Sequence, residues 1–160
     1  MRNRNLLHII ISTGFGSGYF PKAPGTAGAV LATIIWFGLT FFLSPCYLFL
    51  TTAILIIVFT FLGVWSSGIM EASWGKDPSK VVVDEMVGVW IPLLAVNNNN
   101  EYFIYYALAA LVLFRLFDIF KPFGIRKMEI FGGGWGIMLD DILAGLYSLL
   151  ILGVLIWVIG

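Results

Sequence analysis

Five carboxylates stand in or at the edge of apolar runs of this chain. Asp84 and Glu85 lie in VVVDEMVGVWIPLLAV (81–96), Asp118 lies near the end of the run from Tyr102 to Phe120, and Asp140 and Asp141 follow GGGWG (132–136). A carboxylate in such a setting costs a few kcal/mol unless it is paired, hydrated or bound to a cation. Five of them from three segments point to a cation. The candidate donors are all oxygens, with one cysteine (Cys46) and one distant histidine (His8) in the whole chain. That favours Mg²⁺ or Mn²⁺ over Zn²⁺. Consecutive helical residues point ~100° apart. One member of Asp84/Glu85 and one of Asp140/Asp141 can therefore bind metal while its neighbour caps a helix or pairs with a base. The plainer reading pairs each acid with Arg115, Lys121 or Arg126 merely to hold helices together, but five acids exceed that need.

Arg115, Asp118 and Lys121 are spaced i, i+3, i+6 and share a helix face. A base–acid–base stripe beside a carboxylate cluster suits a phosphate held next to a metal, with Arg as a planar donor fork and Lys as a point charge. Two glycine-rich stretches, GFGSGYFPKAPGTAG (14–28) and GGGWG, can bring backbone N–H groups near phosphate. The first carries Lys22, a further candidate for phosphate, and Thr26, which either N-caps the next helix or touches the ligand. Gly25/Ala29 and Gly28/Ala32 also fit small-xxx-small helix packing. A Cys-x₅-Arg loop, an Asp-x-Asp pair and a multi-His phosphatase pattern are all absent. Metal-assisted attack by water or a carboxylate remains.

The elements that must position these residues follow from composition. Of 160 residues, 60% are hydrophobic and 11% charged, and the mean hydropathy is +0.97. Ordinary soluble domains are nearer ~45–50% apolar and ~25% charged, so a water-soluble monomer is disfavoured. Nine basic and nine acidic residues cancel, which gives no reason to expect nucleic acid. Positions 23–70 carry no charge, and Pro45 divides them. Spans are expected near 27–43, 47–68, 102–120 and 136–160. The stretch 81–96 is short, and is either a short span or partly re-entrant. The expected fold is all-α: one integral membrane helical bundle of about five apolar segments over residues 1–160. The opening MRNRNLLHIIIST reads as a retained interfacial segment. Arg2, Arg4, Lys22, Lys76, Lys80, Lys121, Arg126 and Lys127 fall on one side under this topology, which the positive-inside rule makes cytoplasmic. The N-terminus is then cytoplasmic, and all five acids lie toward the same face.

Three motifs carry a resemblance: FGSGYFPKAPGTAGA (15–29), VVVDEMVGVW (81–90) and FRLFDIFKPFGIRKMEIFGGGWGIMLDDILAG (114–145). In order and spacing they resemble the phosphatidylglycerophosphatase A family of bacterial membrane enzymes. The resemblance implies a multi-pass protein of the bacterial cytoplasmic membrane. It implies a Mg²⁺-dependent phosphatase that converts phosphatidylglycerophosphate to phosphatidylglycerol and phosphate. The family's acidic motifs fall on Asp84-Glu85, Asp118 and Asp140-Asp141. These are the expected metal ligands, with Asp84, Glu85, Asp118 and Asp141 as the catalytic set. Arg115, Lys121, Lys22 and Thr26 are the expected phosphate contacts. Some relatives carry a His before the glycine pair preceding G-I-M, and Gly132 stands there in this chain. Two rivals use similar residues. A CDP-alcohol phosphotransferase needs a D-x₂-D-G-x₂-A-R…G-x₃-D-x₃-D pattern, which is absent. A divalent-cation carrier or channel places acids near the midplane or on both sides of it. The oligomeric state is left open.

Overall fold

The structure is a computed structural model that describes residues 2–159 apart from Asp77, with the side chains of 2–5 and 129 outside the description. The expected cytoplasmic charges Arg2 and Arg4 therefore lie outside the described side chains. Among the described residues six helices run in order: α1 (Arg2–Ser12), α2 (Pro24–Thr40), α3 (Pro45–Trp74), α4 (Val83–Leu93), α5 (Phe103–Phe120) and α6 (Gly133–Ile159). Short 3₁₀ turns occupy Ser17–Tyr19 and Ile125–Phe131. There is no strand among the described residues.

Local chemistry sets the ends. Pro24 and Pro45 stand at the first helical positions of α2 and α3, where the missing N–H costs nothing and φ is preset. This starts the first apolar helix three residues before the expected 27. It also leaves Thr26 inside the first turn, with Ala23 at the N-cap, so Thr26 does not cap α2. The polar run 97–100 forms the expected turn. Asn97 Oδ1 accepts from the Asn99 N–H at 2.9 Å, and Asn100 Oδ1 accepts from the Tyr102 N–H at 2.8 Å. The Asn98 amide donates to the Leu43 carbonyl at 2.9 Å and the Thr40 carbonyl at 3.3 Å. That ties this turn to the end of α2.

Helices α3, α5 and α6 are long and apolar enough to cross a membrane, and α2 is a shorter apolar helix of 17 residues. Their surfaces are inverted relative to a soluble protein. Phe42, Phe61, Leu150, Val154 and Trp157 are exposed, while Thr52, Ser66, Ser67, Ser148, Asp84, Asp140 and Asp141 are buried. Apolar atoms outside and polar or charged groups inside are what a bilayer solvent selects.

The short stretch 81–96 is resolved by α4. Its 11 residues rise only about 16 Å, too little to span, yet ten of them are buried. α4 is a central plug packed against α2, α3, α5 and α6, not a helix facing lipid. Glycines permit this close packing. A Cβ on Gly88 would strike the Phe114 ring, and one on Gly145 would stand 2.5 Å from the Gly88 carbonyl oxygen. A Cβ on Gly134 would overlap the Val64 carbonyl, and backbone cannot swing aside. Gly134→Ala is expected to cost about 1–3 kcal/mol by overpacking, read as a lowered unfolding midpoint in detergent.

His8 is a packing residue. It is buried on α1, 3.3 Å from Ser66 Oγ through Nδ1 and edge-on to Trp65 with ring centroids 4.6 Å apart. These contacts dock α1 on α3. Cys46 is exposed at the opposite end of the bundle from the acids, where α3 begins.

Candidate active site

Three helices deliver the acids to one place. Asp84 and Glu85 are in the first turn of α4. Asp118 is in the last turn of α5, and Asp140 and Asp141 lie two turns into α6, because that helix begins at Gly133 and not near 136. All five acids, with Arg115 and Lys121, line a single cavity of about 290 Å³. The remaining lining includes Ala23, Pro24 and Gly25 at the start of α2, and Ser79 from the α3–α4 connection.

The acids divide into two kinds. Asp84, Glu85 and Asp141 each offer an oxygen such that all three atoms lie within 4.8 Å of one another. Asp118 and Asp140 instead hold cations. Arg115 Nη1 is 2.6 Å from Asp118 Oδ2 and 3.8 Å from Glu85 Oε1, and Lys121 Nζ is 2.6 Å from Asp140 Oδ2. The i, i+3 spacing produces the Arg115–Asp118 pair as expected from the shared face. Lys121 reaches Asp140 differently. It is the C-cap of α5 in a left-handed conformation, φ 44°, which turns its side chain toward α6.

The fit of this set to a cation rests on its electrostatics. Five carboxylates face two cations in one cavity, and Asp84 Oδ1 and Glu85 Oε2 are buried with no hydrogen-bond partner among the described residues. Carboxylates gathered this closely repel unless a proton or cation stands among them. An all-oxygen donor set of this charge suits a hard divalent cation. The residues present could therefore hold one.

Lys22 and Thr26 are not brought to this cavity. Both line a neighbouring, mostly apolar cavity along α2, and Lys22 is exposed. Gly25 is the site residue that sequence reasoning assigned elsewhere. Of the small residues read as helix packing, Gly28 sits against Val82, and Ala29 and Ala32 are fully buried, with the Trp90 indole N–H donating to the Ala32 carbonyl at 3.0 Å. A Cβ on Gly25, however, would overlap the Glu85 carboxylate and lie 3.1 Å from Arg115 Nη1. Gly25 sits one turn before the packing pair Gly28/Ala32, so its spacing alone could not set it apart. The GGGWG stretch serves a turn and helix packing: Gly132 and Gly133 have φ of 61° and 59°, and Gly134 meets α3.

Comparison with known proteins agrees with the motifs. The chain is 57% identical over 160 residues to a protein of Bacteroides thetaiotaomicron described as a putative phosphatidylinositol-3-phosphatase, covering 100% of both chains. It is 35% identical over 141 residues to the phosphatidylglycerophosphatase A of Escherichia coli, covering 87% of this chain and 77% of that one. It is 38% identical over 149 residues to the phosphatidylglycerophosphatase A of Haemophilus influenzae, covering 92% and 86%. No solved structure matches it. The profile of one family, phosphatidylglycerophosphatase A, matches residues 10–156. With that match across nearly the whole chain, the protein belongs to the phosphatidylglycerophosphatase A family of phosphatases.

Proposed function

We propose that the protein is a Mg²⁺-dependent lipid phosphatase that hydrolyses the terminal phosphomonoester of phosphatidylglycerophosphate, releasing phosphatidylglycerol and phosphate at the cytoplasmic face of a bacterial membrane. The observation that carries this reading is the Asp84–Glu85–Asp141 cluster beside two cations in one cavity. Those three carboxylates would hold Mg²⁺, which when bound supplies charge neutralisation and activation of water. Arg115 and Lys121 bind the phosphate oxygens. Asp118 and Asp140, each 2.6 Å from its cation, orient them as carboxylates orient metal-bound or substrate-bound groups elsewhere. This narrows the ligand set expected from sequence, with Asp118 and Asp140 as positioning residues. A carboxylate oxygen of the cluster turned away from the cation would take the proton of the attacking water. α4 and the surrounding apolar helices exclude bulk water, which strengthens each of these interactions.

A second reading changes only the headgroup. The relative that is 57% identical over the full length of both chains carries the name putative phosphatidylinositol-3-phosphatase, which favours phosphatidylinositol 3-phosphate as substrate. The reacting phosphomonoester and the residues that meet it are the same. Purified protein given the two lipids separately in mixed micelles distinguishes them through kcat/KM. A ratio above about tenfold in either direction, equivalent to about 1.4 kcal/mol of transition-state binding, assigns the headgroup. Hydrolysis of neither lipid contradicts both readings.

The orientation is testable with the native cysteine. A membrane-impermeant maleimide added to intact cells is expected to label Cys46. In a Cys46→Ser background it is expected to spare a cysteine at Lys76→Cys until the membrane is opened. The reverse pattern would invert the topology.

A further inference from the structure

Helix α2 has two faces of different character. One carries Gly25, Gly28, Ala29 and Ala32 into the protein. The other lays Ala23, Thr26, Ala27, Val30 and Ile34 at helical spacing along a second cavity of about 390 Å³. Its lining is apolar except for Thr26 and, at the head, Lys22, which stands exposed. Ala23 lines both this cavity and the acidic one, so the two adjoin across a single residue.

Lys22 stands apart from Arg115 and Lys121, which line the acidic cavity. It lies outside the lining of the acidic cavity, three residues before Gly25, and three residues of chain reach at most about 10–11 Å. A lipid of the class proposed above carries a terminal phosphomonoester, then a polyol, then an internal phosphodiester, then acyl chains. The surfaces run in the same order: carboxylate cavity, Ala23 border, a single cation, apolar lane. A compact ammonium on a flexible stem suits one exposed phosphate charge at the level where such side chains snorkel.

We propose that the outer face of α2 seats the diacylglycerol half of the substrate, with Lys22 on the phosphodiester that is not cleaved. This rests on the phosphatase reading for the identity of the lipid. Lys22 is then a positioning residue. It sets where the terminal phosphate arrives and takes no part in its transfer. Because the product keeps the diester, the lane holds product as well as substrate.

The test uses the full chain in nanodiscs and a phosphatidylglycerol bearing a photoreactive group on one acyl chain. Labelling is expected to concentrate in residues 20–34 and to be displaced by unlabelled phosphatidylglycerol. Lys22→Gln is expected to cut that labelling about tenfold, and Lys22→Arg to restore it. In hydrolysis, Lys22→Gln is expected to raise KM for the lipid phosphomonoester about tenfold while kcat stays within about twofold, the signature of lost ground-state binding. Labelling spread over all lipid-facing helices and indifferent to Lys22→Gln would reduce the lane to ordinary lipid contact and overturn the proposal. So would a fall in kcat/KM on a water-soluble phosphomonoester as large as that on the lipid, which would put Lys22 on the reacting phosphate. Focused, Lys22-dependent labelling in a protein that hydrolyses nothing would leave the lane standing and remove the phosphatase reading instead.

Discussion

Asp141→Asn is expected to lower kcat on the order of 10³-fold, the scale on which a single charge-stabilising group at a phosphoryl or acyl transfer site is felt, while the protein remains folded. Asn keeps the size of the side chain but removes one of three carboxylates that lie within 4.8 Å of one another. Without metal those charges repel, so the variant is expected to unfold at the same or a higher temperature than the parent in EDTA. Loss of activity together with unchanged or improved metal-free stability marks a site residue, since a purely structural ion pair would give the opposite on losing a partner. Asp140→Asn sets the contrast. Asp140 holds Lys121 at 2.6 Å, and loss of such an orienting group costs about 10- to 100-fold. Equal losses from the two substitutions would contradict the division of labour between cluster and positioning pairs. Activity assays on matched, folded preparations decide it.

The second large effect is expected from a glycine. Gly25→Ala places a methyl group on the Glu85 carboxylate and 3.1 Å from Arg115 Nη1. The end of a glutamate side chain can move, so the fold tolerates the change, but Glu85 then leaves the cluster. Activity is expected to fall about 10²-fold, comparable to misplacing a catalytic group by an ångström or so, with stability changed by less than about 1 kcal/mol. Gly28→Ala, one turn along the same helix, meets Val82 Cβ at 2.8 Å and the Val82 carbonyl oxygen at 3.1 Å. It is expected to cost about 1–3 kcal/mol of stability by overpacking and to leave the geometry of the acids intact. Thermal unfolding and kcat measured on both variants separate the two roles. A Gly25→Ala protein that is unstable but fully active per folded molecule would return Gly25 to the packing residues.

The acids were legible because a bilayer makes them conspicuous. Asp84, Glu85, Asp118, Asp140 and Asp141 stand out against apolar runs in a chain with only nine acidic residues, and the alternation of spans already gathered them at one depth. Arg115 with Asp118 followed from helical spacing alone. Two things were hidden. Hydropathy ranks α4 with the lipid-facing helices because burial in protein and burial in lipid select the same residue types; only the shortness of the stretch 81–96 set it apart in the sequence, and the structure shortens it further to an 11-residue helix. The partition of the acids into cluster and pairs depends on tertiary detail, namely the left-handed turn at Lys121 and the start of α6 at Gly133. Both are set by backbone conformations that no periodicity encodes. Lys22 was read toward the phosphate of the site because it precedes the glycine-rich start of α2, and chain proximity could not say on which side of Ala23 it would stand.

The central claim is that a divalent cation held among Asp84, Glu85 and Asp141 makes this chain a phosphatase for lipid phosphomonoesters. The most direct measurement is phosphate released by the purified protein from phosphatidylglycerophosphate, and in parallel from phosphatidylinositol 3-phosphate, first in EDTA and then after titration with Mg²⁺. Release is expected to be absent in EDTA and to rise saturably with Mg²⁺, and to be lost in Asp141→Asn at every Mg²⁺ concentration. Release that proceeds equally in EDTA, or no release from either lipid by a folded protein saturated with Mg²⁺, would contradict it.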